Sequence, residues 1–290
     1  MRSKLAGLSL FVFLGAAICS AQDAPSAATG PNVPDYTSVN CSSFVSDNVP
    51  SETRLVSGEN SNVKVVFTQG DLVYINRGRD KGVRVGDRFS VVRPSQDFVD
   101  VGWFKWQRKL MKAMGQAYVD AGELRVINVQ QNASVAEVGF SCGYMQRGDI
   151  VRPYIERPVP QFKDSATFDR FAPVNGKRIA MVVSGADYTE MLGKNSVAFV
   201  NLGSNQSVKI GDYFRVFRYQ GTLAETVPQT KGYQYKLFGF GSSPTRYEWS
   251  DLPRQVIGEG VVLNQGPNAS TVMITYSSTP IYAGDYVELE

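Results

Sequence analysis

Two stretches of the chain carry the same pattern of residues. Residues 73–78 read VYINRG, and residues 83–93 read VRVGDRFSVVR. Residues 198–203 read AFVNLG and residues 208–218 read VKIGDYFRVFR, at a constant offset of 125 (198 minus 73). Asn, Gly, Val, Gly-Asp, Phe, Val and Arg recur at matching places. Similarity at a fixed period predicts that one structural unit is present twice.

The match continues to the end of the chain at a second offset, 136 (258 minus 122). GE at 122–123, NAS at 132–134 and GDIV at 148–151 correspond to GE at 258–259, NAS at 268–270 and GDYV at 284–287. The insertion between the blocks is therefore 11 residues longer in the second copy (136 minus 125). With an earlier match of LVSG at 55–58 to VVSG at 182–185, the repeats run from 54 to 153 and from 180 to 290.

Each copy consists of short segments rich in β-branched and aromatic residues, bounded by Gly, Asp and Asn. Such segments are typical of strands, and residues 130–132 and 265–268 are predicted to be hairpin turns. We therefore expect a mainly β protein with two tandem small antiparallel β-barrels. Each barrel has an insertion, helical in the first and rich in aromatic residues in the second.

Four Gly-Asp pairs each precede an apolar strand. At such a place Gly supplies a positive φ and Asp accepts backbone N–H bonds, so the pairs are predicted to shape turns. The alternative, that two of the carboxylates form a glycosidase-like acid and base, needs them close together in a cleft. The residues are Gly86, Asp87, Gly148, Asp149, Gly211, Asp212, Gly284 and Asp285. Gly78 to Gly82 resembles a phosphate-binding loop only loosely and is predicted to be a hairpin loop.

The insertions hold the candidate binding surfaces. In the first, apolar residues at spacings of three and four predict a helix over 101–119. This helix either caps an open end of the barrel or presents a basic, aromatic face to anionic glycans or lipid headgroups. These residues are Trp103, Phe104, Trp106, Leu110, Met114 and Tyr118. The second insertion, 219–256, carries aromatics that form either a ligand- or partner-binding patch or a local cluster. These candidate site residues are Tyr233, Tyr235, Phe238, Phe240, Tyr247 and Trp249.

Residues 1–21 have the pattern of a secretory signal peptide, with a basic start, an apolar stretch and a cleavage site after Ala21. The alternative is a lipoprotein anchored through Cys19. Cleavage leaves Cys41 and Cys142, which we expect to form a disulfide in an oxidising compartment; two buried thiols are the alternative. Residues 22–53 are expected to be flexible and then tethered through Cys41, and residues 154–179 to be a Pro-rich linker.

Composition excludes several classes of site. The 290 residues contain no histidine, so a Ser-His-Asp unit and a His-ligated metal are impossible. Without Arg2 and Lys4, 28 basic residues (30 minus 2) face 27 acidic ones, too balanced for nucleic-acid binding. We expect no catalytic residues, no cofactor, no metal and no transmembrane segment.

The motifs V-Y-I-N-x-G, G-V-x-V-G-D-x-F-x-V-x-R, G-x-x-x-V and G-D-x-V resemble the C-terminal domain of the flagellar assembly protein T family, present here twice in tandem. The doubled pattern is also similar to that of secreted bacterial proteins. The resemblance implies a small β-rich module of a non-enzymatic envelope protein. Because the module is doubled and the family's other domains have no counterpart, a flagellar role is not carried over.

We therefore expect an exported, non-catalytic protein of the periplasm or the cell exterior that acts in assembly or binding. One alternative is a module that binds peptidoglycan or another polysaccharide. The other is a carboxylate-dependent hydrolase. The partner would be an envelope protein or a cell-wall glycan, while the oligomeric state is left open by the sequence.

Overall fold

The fold is known from a computed structural model that describes residues 32–95, 100–163, 169–186, 189–220 and 252–290. Residues Asn32–Glu290 belong to one compact unit. Below, "first half" means residues 54–153 and "second half" means residues 180–290. The chain enters the first half through a helix and a strand, α1 (Tyr36–Asn40) and β1 (Phe44–Ser46).

The first half is an antiparallel sheet that curls around an apolar core. Its strands are β2 (Leu55–Gly58), β4 (Leu72–Ile75), β5 (Arg88–Pro94), β6 (Gln116–Val129), β7 (Ser134–Ser141) and β9 (Ile150–Pro153). They are ordered β2-β4-β7-β6-β5-β9, and β1 pairs with the start of β6. A two-stranded ribbon, β3 (Val66–Phe67) with β8 (Met145–Gln146), lies apart from the sheet.

The second half is a closed six-stranded antiparallel barrel. Its strands are β10 (Ile179–Gly185), β12 (Val197–Val200), β13 (Tyr213–Arg218), β14 (Gln255–Gln265), β15 (Ser270–Ser277) and β17 (Tyr286–Leu289). The order around the barrel is β10-β12-β15-β14-β13-β17, and pairing of β17 with β10 closes it. A ribbon of β11 (Met191–Leu192) and β16 (Ile281–Tyr282) matches the ribbon of the first half.

Strand by strand, the two halves have the same order. The prediction of a mainly β fold with a barrel is therefore confirmed, with one difference between the halves. In the first half β2 and β9 do not pair along their length; they meet at a single bridge between Arg54 and Ile150. Three backbone hydrogen bonds surround that bridge, from Leu55 N to Asp149 O, Gly148 N to Leu55 O and Val151 N to Thr53 O.

Alternation of side chains places an apolar core inside each half. The second-half core includes Val182, Val200, Phe214, Val262 and Ile274. Corresponding strands of the first half supply the core residues Leu55, Ile75, Phe89, Val126 and Val138. The outer faces are consequently the surfaces on which insertions and linkers can pack.

A helix is present within the predicted range 101–119, but it is much shorter than predicted. The second helix, α2, covers only Gln107–Met114, because Gly115 adopts a φ of +109° and the chain then enters β6. Tyr118 is accordingly a strand residue that stacks on Phe44, and Trp106 is 65% exposed.

The helix covers the outer face of the second-half barrel and does not cap the end of its own sheet. Gln107 Nε2 donates to Val183 O on β10 at 2.9 Å, and Trp103 Nε1, just before the helix, donates to Ala283 O at 2.9 Å. This cover explains why β10 is buried on both faces near its end. No helix within the described ranges is long and apolar enough to cross a membrane.

Candidate functional site

The four Gly-Asp pairs form the same turn four times. Each aspartate carboxylate accepts a hydrogen bond from the backbone N–H three residues earlier, at 2.8 to 2.9 Å, and each glycine has a φ between +90° and +99°. A Cβ is strained at such a φ, which is the reason for glycine. The aspartates are Asp87, Asp149, Asp212 and Asp285.

A fifth turn of this kind was missed in the sequence, although its motif is the same. Gly70 has a φ of +89°, and Asp71 Oδ2 accepts from Thr68 N at 2.7 Å. The second half builds the equivalent turn with other residues: Asn195 has a φ of +70°, and Ser196 Oγ accepts from Gly193 N at 3.1 Å. Asn tolerates the left-handed region better than most residues, and a hydroxyl can replace a carboxylate as acceptor.

Two of the four aspartates also bind an arginine on the neighbouring strand. Arg93 Nε and Nη2 donate to the two oxygens of Asp149 at 2.7 and 2.8 Å. Arg218 makes the same pair of bonds to Asp285, at 2.6 Å each. The hydrogen bonds to Asp149 raise the pKa of Arg93, although burial acts against them. Sequence could have suggested these pairs, since both arginines lie in the matching blocks.

The shared Asn and Gly of the motif also have structural partners. Asn76 Oδ1 accepts from Arg54 N, just before β2, and Asn201 Oδ1 accepts from Met181 N within β10. At Gly78 an added Cβ would lie 2.5 Å from Gln131 O in the facing hairpin. The loop after Gly78 is a short 3₁₀ turn, Arg79–Lys81, and it docks on that hairpin through a bond from Arg79 N to Gln130 O.

The motif residues are therefore occupied in shaping the backbone. In the described parts of the chain, no group of three or more His, Cys, Asp or Glu side chains could hold a metal ion. The six aromatic candidates of the second insertion, Tyr233 to Trp249, lie outside the described residues.

The predicted disulfide between Cys41 and Cys142 is present, with a Cα–Cα distance of 5.4 Å. It joins the N-terminal segment to the end of β7. From there the segment runs between the two halves: Ser43 N donates to Asp120 Oδ2 at 3.0 Å, and Thr271 Oγ1 of the second half donates to Ser43 O at 3.3 Å. Val45 packs with residues of both halves, including Met114 and Phe199.

The linker after β9 contributes a buried ion pair to this junction. Arg157 binds Asp120 through two hydrogen bonds of 2.8 and 2.6 Å and also donates to Val39 O. Asp120 is 5% exposed, so its negative charge is compensated within the protein. The start of the linker is thus fixed to the first half at Arg157.

A cleft of about 300 Å³ opens where the N-terminal strand, the linker and the β14–β15 hairpin meet. We call it the junction cleft; its walls include Phe44, Arg152, Glu156, Ile210, Asn264 and Pro267. Small-molecule sites begin at about this size. The cleft is therefore our principal candidate for a ligand site.

Two arginines line the junction cleft, Arg152 and Arg157, and Arg157 is already bound to Asp120. Arg152 lies on β9 opposite Ser90, and its guanidinium stacks over the Phe44 ring at 4.3 Å. Burial lowers the pKa of Arg152, Arg157 acts in the same direction, and Asp120 acts in the opposite one. Sequence reasoning missed this residue because neither its exposure nor the approach of Phe44 follows from a local pattern.

A second cleft, of about 270 Å³, lies at one end of the first-half sheet and is called the basic cleft. Arg77, Lys81 and Arg88 line it together with Asp87 and Tyr154. The matching positions of the second half hold Leu202, Gln206 and Tyr213. The positive charge of the basic cleft is therefore a feature of the first half.

Comparison with known proteins gives no relative: no family model matches the chain, and no curated protein matches it.

Proposed function

We propose that the protein is an exported, non-catalytic component of the cell envelope that acts in assembly or binding. The observation that carries the proposal is the use of the shared aspartates. All four accept bonds within their own turns, and Asp149 and Asp285 are in addition held by arginines. A catalytic acid or base must be within reach of substrate and able to exchange its proton, which these contacts oppose.

The disulfide and the joined halves support the other parts of the proposal. Disulfides persist in oxidising compartments, in agreement with the signal-peptide pattern of residues 1–21. The N-terminal segment, α2 and the linker each contact both halves or the space between them. A scaffold with two halves held in one arrangement suits a protein that presents surfaces to partners. We also propose that the halves arose from one copied unit.

Cross-linking in cells that export the protein tests this function. We expect a tagged chain to capture a defined envelope protein. Asp212→Asn should capture it equally, because the amide oxygen still accepts from Lys209 N. The double variant Cys41→Ala/Cys142→Ala should capture less, since it releases the N-terminal segment from β7. Recovery of the tagged chain alone, from every envelope fraction, would contradict a role in assembly.

The basic cleft favours a second candidate, binding of an anionic cell-wall polysaccharide. Arg77 and Lys81 provide positive charge beside the ring of Tyr154, a combination suited to a charged sugar chain. Purified peptidoglycan should retain the chain and retain Arg77→Gln/Lys81→Gln less. Lys209→Gln, an exposed lysine of the second half, is the matched control. No retention of the unaltered chain would exclude this candidate.

A further inference from the structure

We propose that the junction cleft is a binding site for a small ligand that has an anionic carboxylate or phosphate group on an apolar body, with Arg152 as its anchor. The observations are that Arg152 has no ion pair among the described residues, a comparison with the second half and the chemistry of the cleft walls. The inference deepens the proposed binding role and rests on it.

The first observation is that Arg152 forms no ion pair with any described residue; the charge of Asp120 acts on it, but Asp120 is itself bound by Arg157. Six other arginines on strands or in linkers form an ion pair with a carboxylate: Arg88, Arg93, Arg157, Arg215, Arg218 and Arg254. Among the described residues, Arg152 donates no side-chain hydrogen bond and lies in no ion pair; its contact is the Phe44 ring. A half-buried cation without an anion is costly unless a ligand or water supplies the missing contacts.

The second observation comes from the matching position of the second half. Arg152 on β9 lies opposite Ser90, and Glu288 on β17 lies opposite Arg215, so the two residues hold equivalent places. Glu288 is fully buried, binds Arg254 and accepts from Asn175 N at 2.6 Å. In the second half the charge is thus neutralised by the protein, whereas in the first half Arg152 has no carboxylate bound to it among the described residues.

The walls of the junction cleft define the rest of the ligand. Arg152 presents a planar fork of donors that matches a carboxylate or a phosphate. Phe44, Ile210 and Pro267 provide apolar contacts, and the Asn264 and Gln265 amides add polar groups at the hairpin. A volume of about 300 Å³ limits the occupant to a small molecule or a single end group.

The carboxylate of Glu156 allows the charge preference of the junction cleft to be tested. It lines the same cleft and is exposed, and it has no ion pair among the described residues. A carboxylate in the cleft repels an anionic ligand and leaves a cationic or neutral one unopposed. Removing its charge should therefore strengthen anion binding, an effect that a merely structural role of Arg152 would not predict.

Titration of the isotope-labelled chain, followed by nuclear magnetic resonance, tests the site. The probes are benzoate, phenyl phosphate and neutral benzamide. We expect saturable shifts at Arg152 and at the Asn264 and Gln265 amides with the anions, and at least tenfold weaker binding of benzamide, or about 1.4 kcal/mol. The anion that saturates at lower concentration identifies the source as a carboxylate or a phosphate.

Variants complete the experiment. Arg152→Gln should weaken benzoate binding at least about tenfold. The affinity of Arg152→Lys should lie between those of the unaltered chain and Arg152→Gln, because lysine keeps the charge but lacks the planar pair of donors. Arg84→Gln, an exposed arginine of the Gly86 turn, is the matched control, and Glu156→Gln should tighten binding. Shifts that fail to saturate with either anion would overturn the site. So would equal affinity of Arg152→Gln, or a Glu156→Gln variant that does not bind more tightly. None of these results would change the cross-linking outcome.

Discussion

Arg218 and Asp285 form a two-pronged ion pair on the outer face of the second-half barrel. Both hydrogen bonds are 2.6 Å, the side chain of Asp285 is fully buried, and Arg218 also donates to Pro280 O at 2.7 Å. Asp285 Oδ2 at the same time accepts from Tyr282 N, so that one carboxylate ties β13, β16 and the last turn together.

Asp285→Ala should lower the free energy of unfolding by about 3–5 kcal/mol, because it leaves the Arg218 guanidinium partly buried without its anion. Asp212→Ala loses only one turn hydrogen bond and should cost about 1 kcal/mol. Urea unfolding followed by tryptophan fluorescence measures both. Equal losses in the two variants would show that the arginine pair adds nothing to the turn.

Loss of the disulfide should destabilise the chain by about 4–5 kcal/mol, because the cross-link closes a loop with a sequence separation of 101. The double variant Cys41→Ala/Cys142→Ala and the chemically reduced chain should agree. Hydrogen exchange should rise at β1, which pairs with β6 only over residues 44–46. Unchanged exchange there would mean that β1 is held without the disulfide.

Gly203→Ala should destabilise the second half by about 1–3 kcal/mol. A Cβ at this position would lie 2.3 Å from Gly266 O, so that the loop and the hairpin must separate. Gly193→Ala is the control, because its Cβ would meet nothing within 4 Å. Thermal unfolding measures the stability of both variants. If Gly203→Ala is as stable as Gly193→Ala, the close approach to Gly266 is not the reason for glycine at this position.

Acid should remove the contribution of Asp71. Burial alone would raise the pKa of this carboxyl, but the hydrogen bonds from Lys64 and Thr68 outweigh burial and lower the pKa. A pKa lowered on folding stabilises the protein above the unfolded value, about 3.9, and the contribution disappears as the pH falls through the folded value. Lys64 and Asp71 are partly exposed, so the contribution is at most about 1 kcal/mol.

The variant Asp71→Asn checks this contribution. It should be less stable than the unaltered chain at pH 7, and the difference between the two, measured by urea unfolding, should shrink as the pH falls below the unfolded value, about 3.9. Asp47→Asn, an exposed aspartate before the first half, should match the unaltered chain at both values. A constant difference across the pH range would contradict the role of the Asp71 charge.

Local patterns in the sequence were sufficient for much of the fold. Turn residues such as Gly86 and Asp87 predicted the ends of strands, because a positive φ and a side-chain acceptor leave few alternatives. The Asn195–Ser196 turn was not predicted, because residues other than Gly and Asp supply the positive φ and the side-chain acceptor there. The helix was extended too far because periodicity in apolar residues continued past Gly115, where the backbone leaves the helical region.

The junction could not be predicted, since it depends on contacts between residues far apart in the chain. Trp103 was predicted to lie on the apolar face of a helix belonging to the first half, yet Trp103 and the neighbouring Gln107 donate to backbone oxygens of the second half. Arg152 has an ordinary strand sequence around it. Its contact with Phe44 depends on how β1 and the linker pack against β9, which no local pattern predicts.

During synthesis from the N-terminus, β1 is made well before the residues that it contacts. This strand is made before the other described strands, while its contacts are with residues 116–118, with α2 and, through the preceding Ser43, with Thr271. It therefore reaches its final neighbours only after most of the chain has been made. A chain stopped shortly before residue 270 would lack β15 and β17, so the barrel that covers the apolar side of α2 could not close, and such unfinished molecules should aggregate or bind chaperones.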